Sequence, residues 1–236
     1  MNVSGIFFWP NTAGGNIQFG AIVLAAGGGY LLGSLPFGYL VARARGVNIF
    51  EVGSKSPGAT NVRRTLGARA GNTVFVLDAI KGALAAGWPL YFLWHAWRTS
   101  AGDSAYSQAE VNTKVLGTIG LVCAMLGHSF SCFTRFRGGK GVATSAGAFL
   151  VLMPPVTVVA AVVWTLTFFT SGYVSLASIL AALSLPVGAL VFGDQLFIIL
   201  VALAVAIFVV VRHRTNILRL CNGTENKAKG KGGGYL

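Results

Sequence analysis

Charge is scarce in this chain. Of 236 residues only 10% are charged, and the 6 acids face 18 lysines and arginines. A soluble domain has about a quarter of its residues charged. The deficit excludes an ordinary water-soluble globule, and 54% hydrophobic residues with a mean hydropathy of +0.70 call for an apolar solvent. Cysteine is also sparse. Cys123, Cys132 and Cys221 are scattered, with no C-x-x-C, so free thiols are expected and no zinc site. The acids Glu51, Asp78, Asp103, Glu110, Asp194 and Glu225 form no cluster, so neither metal nor other cofactor is expected. No G-x-x-x-x-G-K-[ST] loop occurs, and no DNA- or RNA-binding motif. Met1 to Gly15 hold no Lys or Arg, which argues against a cleaved signal peptide. No internal repeat and no Ser- or Pro-rich linker divides the chain. A single transmembrane domain over 1–227 is expected, with a flexible Gly- and Lys-rich tail over 228–236.

What is present is apolar sequence in long runs. They fall near 17–42, 70–97, 113–133, 141–153, 155–170, 174–192 and 194–211, with breaks at Pro154-Pro155, Gly172 and Gly193-Asp194. The expectation is an all-α integral membrane protein, a bundle of about seven transmembrane helices. The 32 glycines suit close-packed membrane helices. Basic residues set the orientation. They gather between the first two runs (Arg43, Arg45, Lys55, Arg63, Arg64, Arg69), between the third and fourth (Arg135, Arg137, Lys140) and after the last (Arg212, Arg214, Arg219, Lys227). With seven spans these regions share one side, which puts the N-terminus outside and the C-terminus in the cytoplasm. A net charge of +12 fits basic loops against anionic lipid headgroups.

Three polar segments interrupt the oily sequence, and each combines glycine, a hydroxyl or amide, and a cation. In the first, Gly53 and Gly58 permit backbone turns that aim N–H groups at an anion, Ser54, Thr60 and Asn61 are neutral donors, and Arg64 offers a fork for phosphate. In the second, Gly138, Gly139 and Gly141 lead into a helix and flank the point charge of Lys140. In the third, His213 and Asn216 lie at i and i+3, on one helical face. His213 is a candidate general base or phosphate ligand. Arg212 and Arg214 are expected to meet lipid headgroups, and Glu225 to buttress the basic loops. Ser175 and Ser178 either donate to a phosphate or bond back to their own helix. His128 reads as a hydrogen-bonding residue inside its span, and Asp78 with Lys81 as a neutralising pair. The plainer reading of these segments is glycine turns with basic anchors at the membrane surface.

At these residues the chain resembles the bacterial membrane glycerol-3-phosphate acyltransferases that use acyl phosphate as donor, the PlsY family. The likeness covers nearly the whole chain. It includes Gly33-Ser34-Leu35-Pro36-Phe37-Gly38, Gly58-Ala59-Thr60-Asn61-Val62, Gly127-His128, Gly138 to Thr144, Tyr173 to Ser178, and His213 to Ile217 followed by Gly223-Thr224-Glu225. It implies seven helices, cytoplasmic motifs at the bacterial inner membrane, and acyl transfer to the 1-hydroxyl of glycerol 3-phosphate. The products are lysophosphatidic acid and phosphate. By motif position the functional residues fall on Ser54, Arg64, Lys140, Ser178, His213 and Asn216. Coupling to the enzyme that forms acyl phosphate is expected. The chain departs from the family pattern at Lys55-Ser56, where Gly-Asn is usual, and at Ser131, where Pro is usual.

The residues suit that chemistry. Both substrates carry phosphate, and an acyl phosphate is already activated, so the protein chiefly positions two reactants and stabilises an oxyanion. The His-x-x-x-x-Asp pair of other acyltransferases is absent, because none of His95, His128 and His213 is followed by aspartate at that spacing. The rival readings are a membrane transporter of a phosphorylated or anionic solute and a scaffold whose basic loops bind anionic lipid. A transporter would favour a midplane site and repeated halves.

Overall fold

The computed structural model describes residues 19–91, 94 and 103–228. Among them all regular structure is helical. The first apolar run forms α1 (Phe19–Ser34) and α2 (Phe37–Arg43), parted at Leu35-Pro36. Pro36 has no amide hydrogen to continue the ladder and disfavours helical backbone before it. Then follow α3 (Ala59–Leu66), α4 (Ala68–Gly87), α5 (Asp103–Ser129), α6 (Val142–Leu152), α7 (Pro154–Ser171), α8 (Val174–Val191), α9 (Leu196–Arg212) and α10 (Arg214–Cys221). The expected breaks fall where proline and glycine stand. Pro154 opens α7, and Gly172 and Gly193 take left-handed backbone at φ 78° and 74°. The expected N-terminal segment before Phe19 and the tail from 229 onward lie outside the described residues, as does most of 92–102.

This is a multi-pass membrane protein. Among the described residues, four helical segments are long and apolar enough to cross a bilayer: Phe19–Arg43, Ala109–Thr134, Pro154–Ser171 and Val174–Val191. A fifth is counted if α9 and α10, bent by 60° at His213, act as one broken span. Two of the seven expected runs fall short for visible reasons. α6 has 11 residues, a rise of about 16 Å against a hydrocarbon core of about 30 Å. α4 has its length but carries Arg69, Asp78 and Lys81. Large apolar side chains such as Phe19, Leu166, Phe169, Val191 and Leu196 point outward, as lipid-facing residues do.

Inside, small residues let backbones touch. A Cβ on Gly33 would lie 2.1 Å from the Ala124 carbonyl oxygen, and one on Gly120 would lie 2.0 Å from that of Ala85, so α1, α5 and α4 pack at backbone distance. A larger apolar cluster, including Leu121, Phe149, Val156, Leu185 and Val205, joins α5 to α9. Asp78 and Lys81 form the expected pair at 2.8 Å, with side chains 3% exposed.

Candidate active site

The first polar segment is organised by one side chain. Asn61 is buried, and its Oδ1 accepts from the Ser54 N–H at 2.8 Å. Its Nδ2 donates to the carbonyls of Ser56 at 2.9 Å and Val52 at 3.1 Å. The Asn61 amide thus folds the loop and spends both Nδ2 hydrogens on backbone carbonyls, contrary to its expected donor role. Gly53 is needed there, at φ 57° with its Cα facing Asn61 Oδ1. Gly58 is not strained, at φ −68°, and caps α3. Thr60 lies half-buried in the first turn of α3, and Ser54 is exposed. Lys55 holds a left-handed φ of 55° at the position where the resemblance implies glycine. From α3, Arg64 donates to the Asn226 carbonyl at 3.1 Å, which brings the first segment to the third.

The second segment turns on His128. Gly139 N–H donates to the His128 carbonyl at 3.1 Å, so this amide is not free to bind an anion. A Cβ on Gly138 would meet that same oxygen at 2.1 Å, and one on Gly139 would meet His128 Nε2 at 2.2 Å. Gly141 caps α6 in left-handed backbone. Arg212 does not reach outward. It donates to the Gly139 carbonyl at 2.7 Å and lies over the Phe130 ring, which corrects the expectation of a headgroup contact. Arg214 is exposed. Ser131, the other departure from the family pattern, donates to the Ser34 carbonyl at 2.6 Å and accepts from the Phe133 N–H at 3.2 Å.

The third segment supplies the hub. Glu225 Oε1 accepts from Asn216 Nδ2 at 2.7 Å and Ser175 Oγ at 2.9 Å, and Oε2 accepts from Arg219 Nε at 2.7 Å. Lys140 donates to Asn216 Oδ1. Arg64, Lys140, Asn216, Ser175, Arg219 and Glu225, from five places in the chain, therefore share one polar centre. Burial pushes the Lys140 ammonium down to about 8; Glu225 opposes this, while Arg219, Arg64 and Arg212 add to it. Burial alone would raise the Glu225 carboxyl, but hydrogen bonds from Arg219, Asn216 and Ser175 outweigh it and hold the group below its usual range.

His213 stands at the bend between α9 and α10, is 3% exposed, and has Nδ1 2.8 Å from the Val209 carbonyl. A carbonyl only accepts, so Nδ1 carries the proton and Nε2 keeps its lone pair. The two serines separate. Ser175 donates to Glu225, whereas Ser178 donates to the Val174 carbonyl of its own helix at 2.8 Å and accepts from Trp164 Nε1 at 3.2 Å. Sequence reasoning left Arg219 and Arg212 out of the site, because an arginine near a helix end carries no mark of which way it turns. Among the described residues no group of three or more His, Cys, Asp and Glu gathers to hold a metal.

Comparison with known proteins identifies the family and the fold. The family described as glycerol-3-phosphate acyltransferase matches residues 22–223. A glycerol-3-phosphate acyltransferase of Fusobacterium nucleatum subsp. nucleatum is 40% identical over 201 residues, covering 85% of this chain and 94% of its own. One from Bacillus cytotoxicus is 41% identical over 200 residues, covering 84% and 91%. The crystal structure of PlsY (YgiH), an integral membrane glycerol 3-phosphate acyltransferase, in its glycerol 3-phosphate form superposes with a TM-score of 0.75 at 36% identity, covering 88% of this chain and 95% of that one. A second structure of it, the lysophosphatidic acid form, gives 0.73 at 35%. With a match over most of its length in sequence and in fold, the chain belongs to the glycerol-3-phosphate acyltransferase family.

Proposed function

We propose that this protein transfers an acyl chain from acyl phosphate to the 1-hydroxyl of glycerol 3-phosphate, at the cytoplasmic face of a bacterial inner membrane. The observation that carries the reading is the convergence of Arg64, Lys140, Asn216 and Ser175 on one centre from separate segments. Cations and neutral donors in one partly buried place suit a phosphate dianion. Arg64 and Lys140 take the phosphate of glycerol 3-phosphate, with Asn216 and Ser54 as neutral donors and Gly138, Gly139 and Gly141 shaping the turn. The outward-facing apolar helices leave the acyl chain in lipid.

In the reaction the 1-hydroxyl oxygen attacks the acyl carbonyl carbon. The bond from that carbon to the phosphate oxygen breaks, and inorganic phosphate leaves. The hydroxyl proton goes to His213 Nε2 or to an oxygen of the departing phosphate. His213 offers an unprotonated Nε2 to the first route, since its Nδ1 proton is directed at Val209. Burial and then Lys140 push its pKa down to about 4, however, which makes it a weak base. Near-normal turnover by a His213→Gln protein at saturating substrates would remove it from that role. The acyl phosphate donor implies a working link to the enzyme that makes it.

The test is phosphate release by the purified protein in detergent, with and without glycerol 3-phosphate, beside Lys140→Ala. Release that needs glycerol 3-phosphate and falls steeply, to a residual rate, in the variant is expected. A folded protein that releases no phosphate but consumes acyl-CoA would overturn the choice of donor.

A further inference from the structure

We propose that Asp78, Lys81 and His128 are positioning residues that hold the Gly138-Gly139-Lys140 turn in its working place. The inference rests on Lys140 serving the substrate phosphate. Asp78 and Lys81 are both 3% exposed and 2.8 Å apart. A buried ion pair rarely stabilises a fold more than an apolar pair of the same size, so stability alone does not account for it. What the pair touches does. Lys81 donates to the Leu35 carbonyl at 2.8 Å, at the break between α1 and α2. Asp78 Oδ1 lies 3.5 Å from His128 Nδ1.

His128 therefore stands between the carboxylate and the turn. Its carbonyl accepts the Gly139 N–H at 3.1 Å, and its Nε2 edge lies where a Gly139 Cβ would be. One residue fixes Gly139 from two directions, while Arg212 draws on the Gly139 carbonyl from a third at 2.7 Å. Lys140 is the next residue, and its ammonium reaches Asn216. A carboxylate that orients a histidine, which in turn places a reacting group, is a known device around metal sites, where its loss costs about 10–100-fold. Here the group placed is a lysine. Gly82, one residue beyond Lys81, lies against the Thr144 carbonyl with a Cβ distance of 1.9 Å. The pair thus sits on the α4 face that supports the helix after the turn.

The experiment is a double-mutant cycle on the purified full chain in detergent. Asp78→Asn, His128→Asn and the charge-free pair Asp78→Leu with Lys81→Met are each made alone and with Lys140→Ala. Turnover, KM for glycerol 3-phosphate and thermal unfolding are read for each. Alone, at least one folded variant is expected to lose about 10–100-fold in kcat/KM. Combined with Lys140→Ala, it should lose nothing further, because the lysine it places is gone. His128→Asn keeps a donor near the Nδ1 position and is expected to be the mildest. Losses that multiply in the Lys140→Ala background, full activity in the folded variants, or failure of all of them to fold would overturn the proposal. Should Lys140→Ala alone keep its activity, the reading of the phosphate site fails instead.

Discussion

Glu225→Gln tests the polar centre at its hub. The substitution keeps the shape and removes the charge. The carboxylate accepts from Ser175, Asn216 and Arg219 at 2.9, 2.7 and 2.7 Å. Breaking a fully buried pair costs about 3–5 kcal/mol. The Arg219 side chain is 40% exposed, so the expected loss is lower, about 2–3 kcal/mol, or about 4–12 °C in unfolding temperature. The sharper consequence is on Lys140. Its ammonium is already down to about 8, and Glu225 is what opposes the fall. Glu225 lies beyond the Asn216 amide, on the order of 6 Å from the ammonium. At an effective dielectric of about 20 that is about 3 kcal/mol, so the basic limb of the pH–rate profile should move down by about 2 pH units. The sign follows from Lys140 working as a cation. Activity is present below its folded pKa and lost as pH rises through it. The acid side runs oppositely, since stability from the depressed Glu225 is present above the usual carboxylate range and lost as pH falls through its folded value. The assay is turnover from pH 6 to 10 with unfolding temperature at each point. An unmoved basic limb in Glu225→Gln would refute the electrostatic account, and so would a limb that persists in Lys140→Arg, whose guanidinium stays charged.

Gly139→Ala places a methyl 2.2 Å from His128 Nε2, so the turn must move; a loss of about 100-fold in kcat is expected for a displacement near 1 Å, read in the phosphate-release assay. Asn61→Ala leaves the Ser54 amide and the Val52 and Ser56 carbonyls without their partner, and about 3 kcal/mol of stability should go, seen in detergent unfolding. Lys55→Gly should act in the other direction. Left-handed backbone costs a lysine about 1–2 kcal/mol, and the flexibility of glycine returns about 0.5–1 of it, so a small gain in stability with unchanged turnover is expected.

Sequence made the helices legible and the site residues nearly so, through different physics. A hydropathy run reports a solvent preference, and the solvent preference of Pro154–Ser171 or Val174–Val191 is unambiguous. It reports poorly on α4, whose Asp78 and Lys81 cancel each other only once the fold brings them together. The motif residues stand out because cations and glycines together suit a phosphate, and few other uses call for both. Their division of labour was hidden. Asn61 and Asn216 look alike in sequence, yet Asn61 folds its own loop while Asn216 links Lys140 to Glu225. Ser175 and Ser178 differ by less than one helical turn, and that offset sends one hydroxyl to Glu225 and the other to its own backbone. Arg212 was misplaced because orientation at a helix end is set by a partner 73 residues away.

The transporter reading can be weighed on the same geometry. A solute carrier places its site where helices break near the middle of the membrane. Here the polar centre is built from helix ends: the turn before α6, the first turn of α8 with Ser175, and the bend at His213. Among the described residues, the charges found mid-helix neutralise each other in the pairs Asp78–Lys81 and Glu110–Lys114, and Lys81 also donates to the Leu35 carbonyl. Reconstituted vesicles are therefore expected to acylate external glycerol 3-phosphate without accumulating it. Uptake of labelled glycerol 3-phosphate into vesicles that hold no acyl donor would refute this.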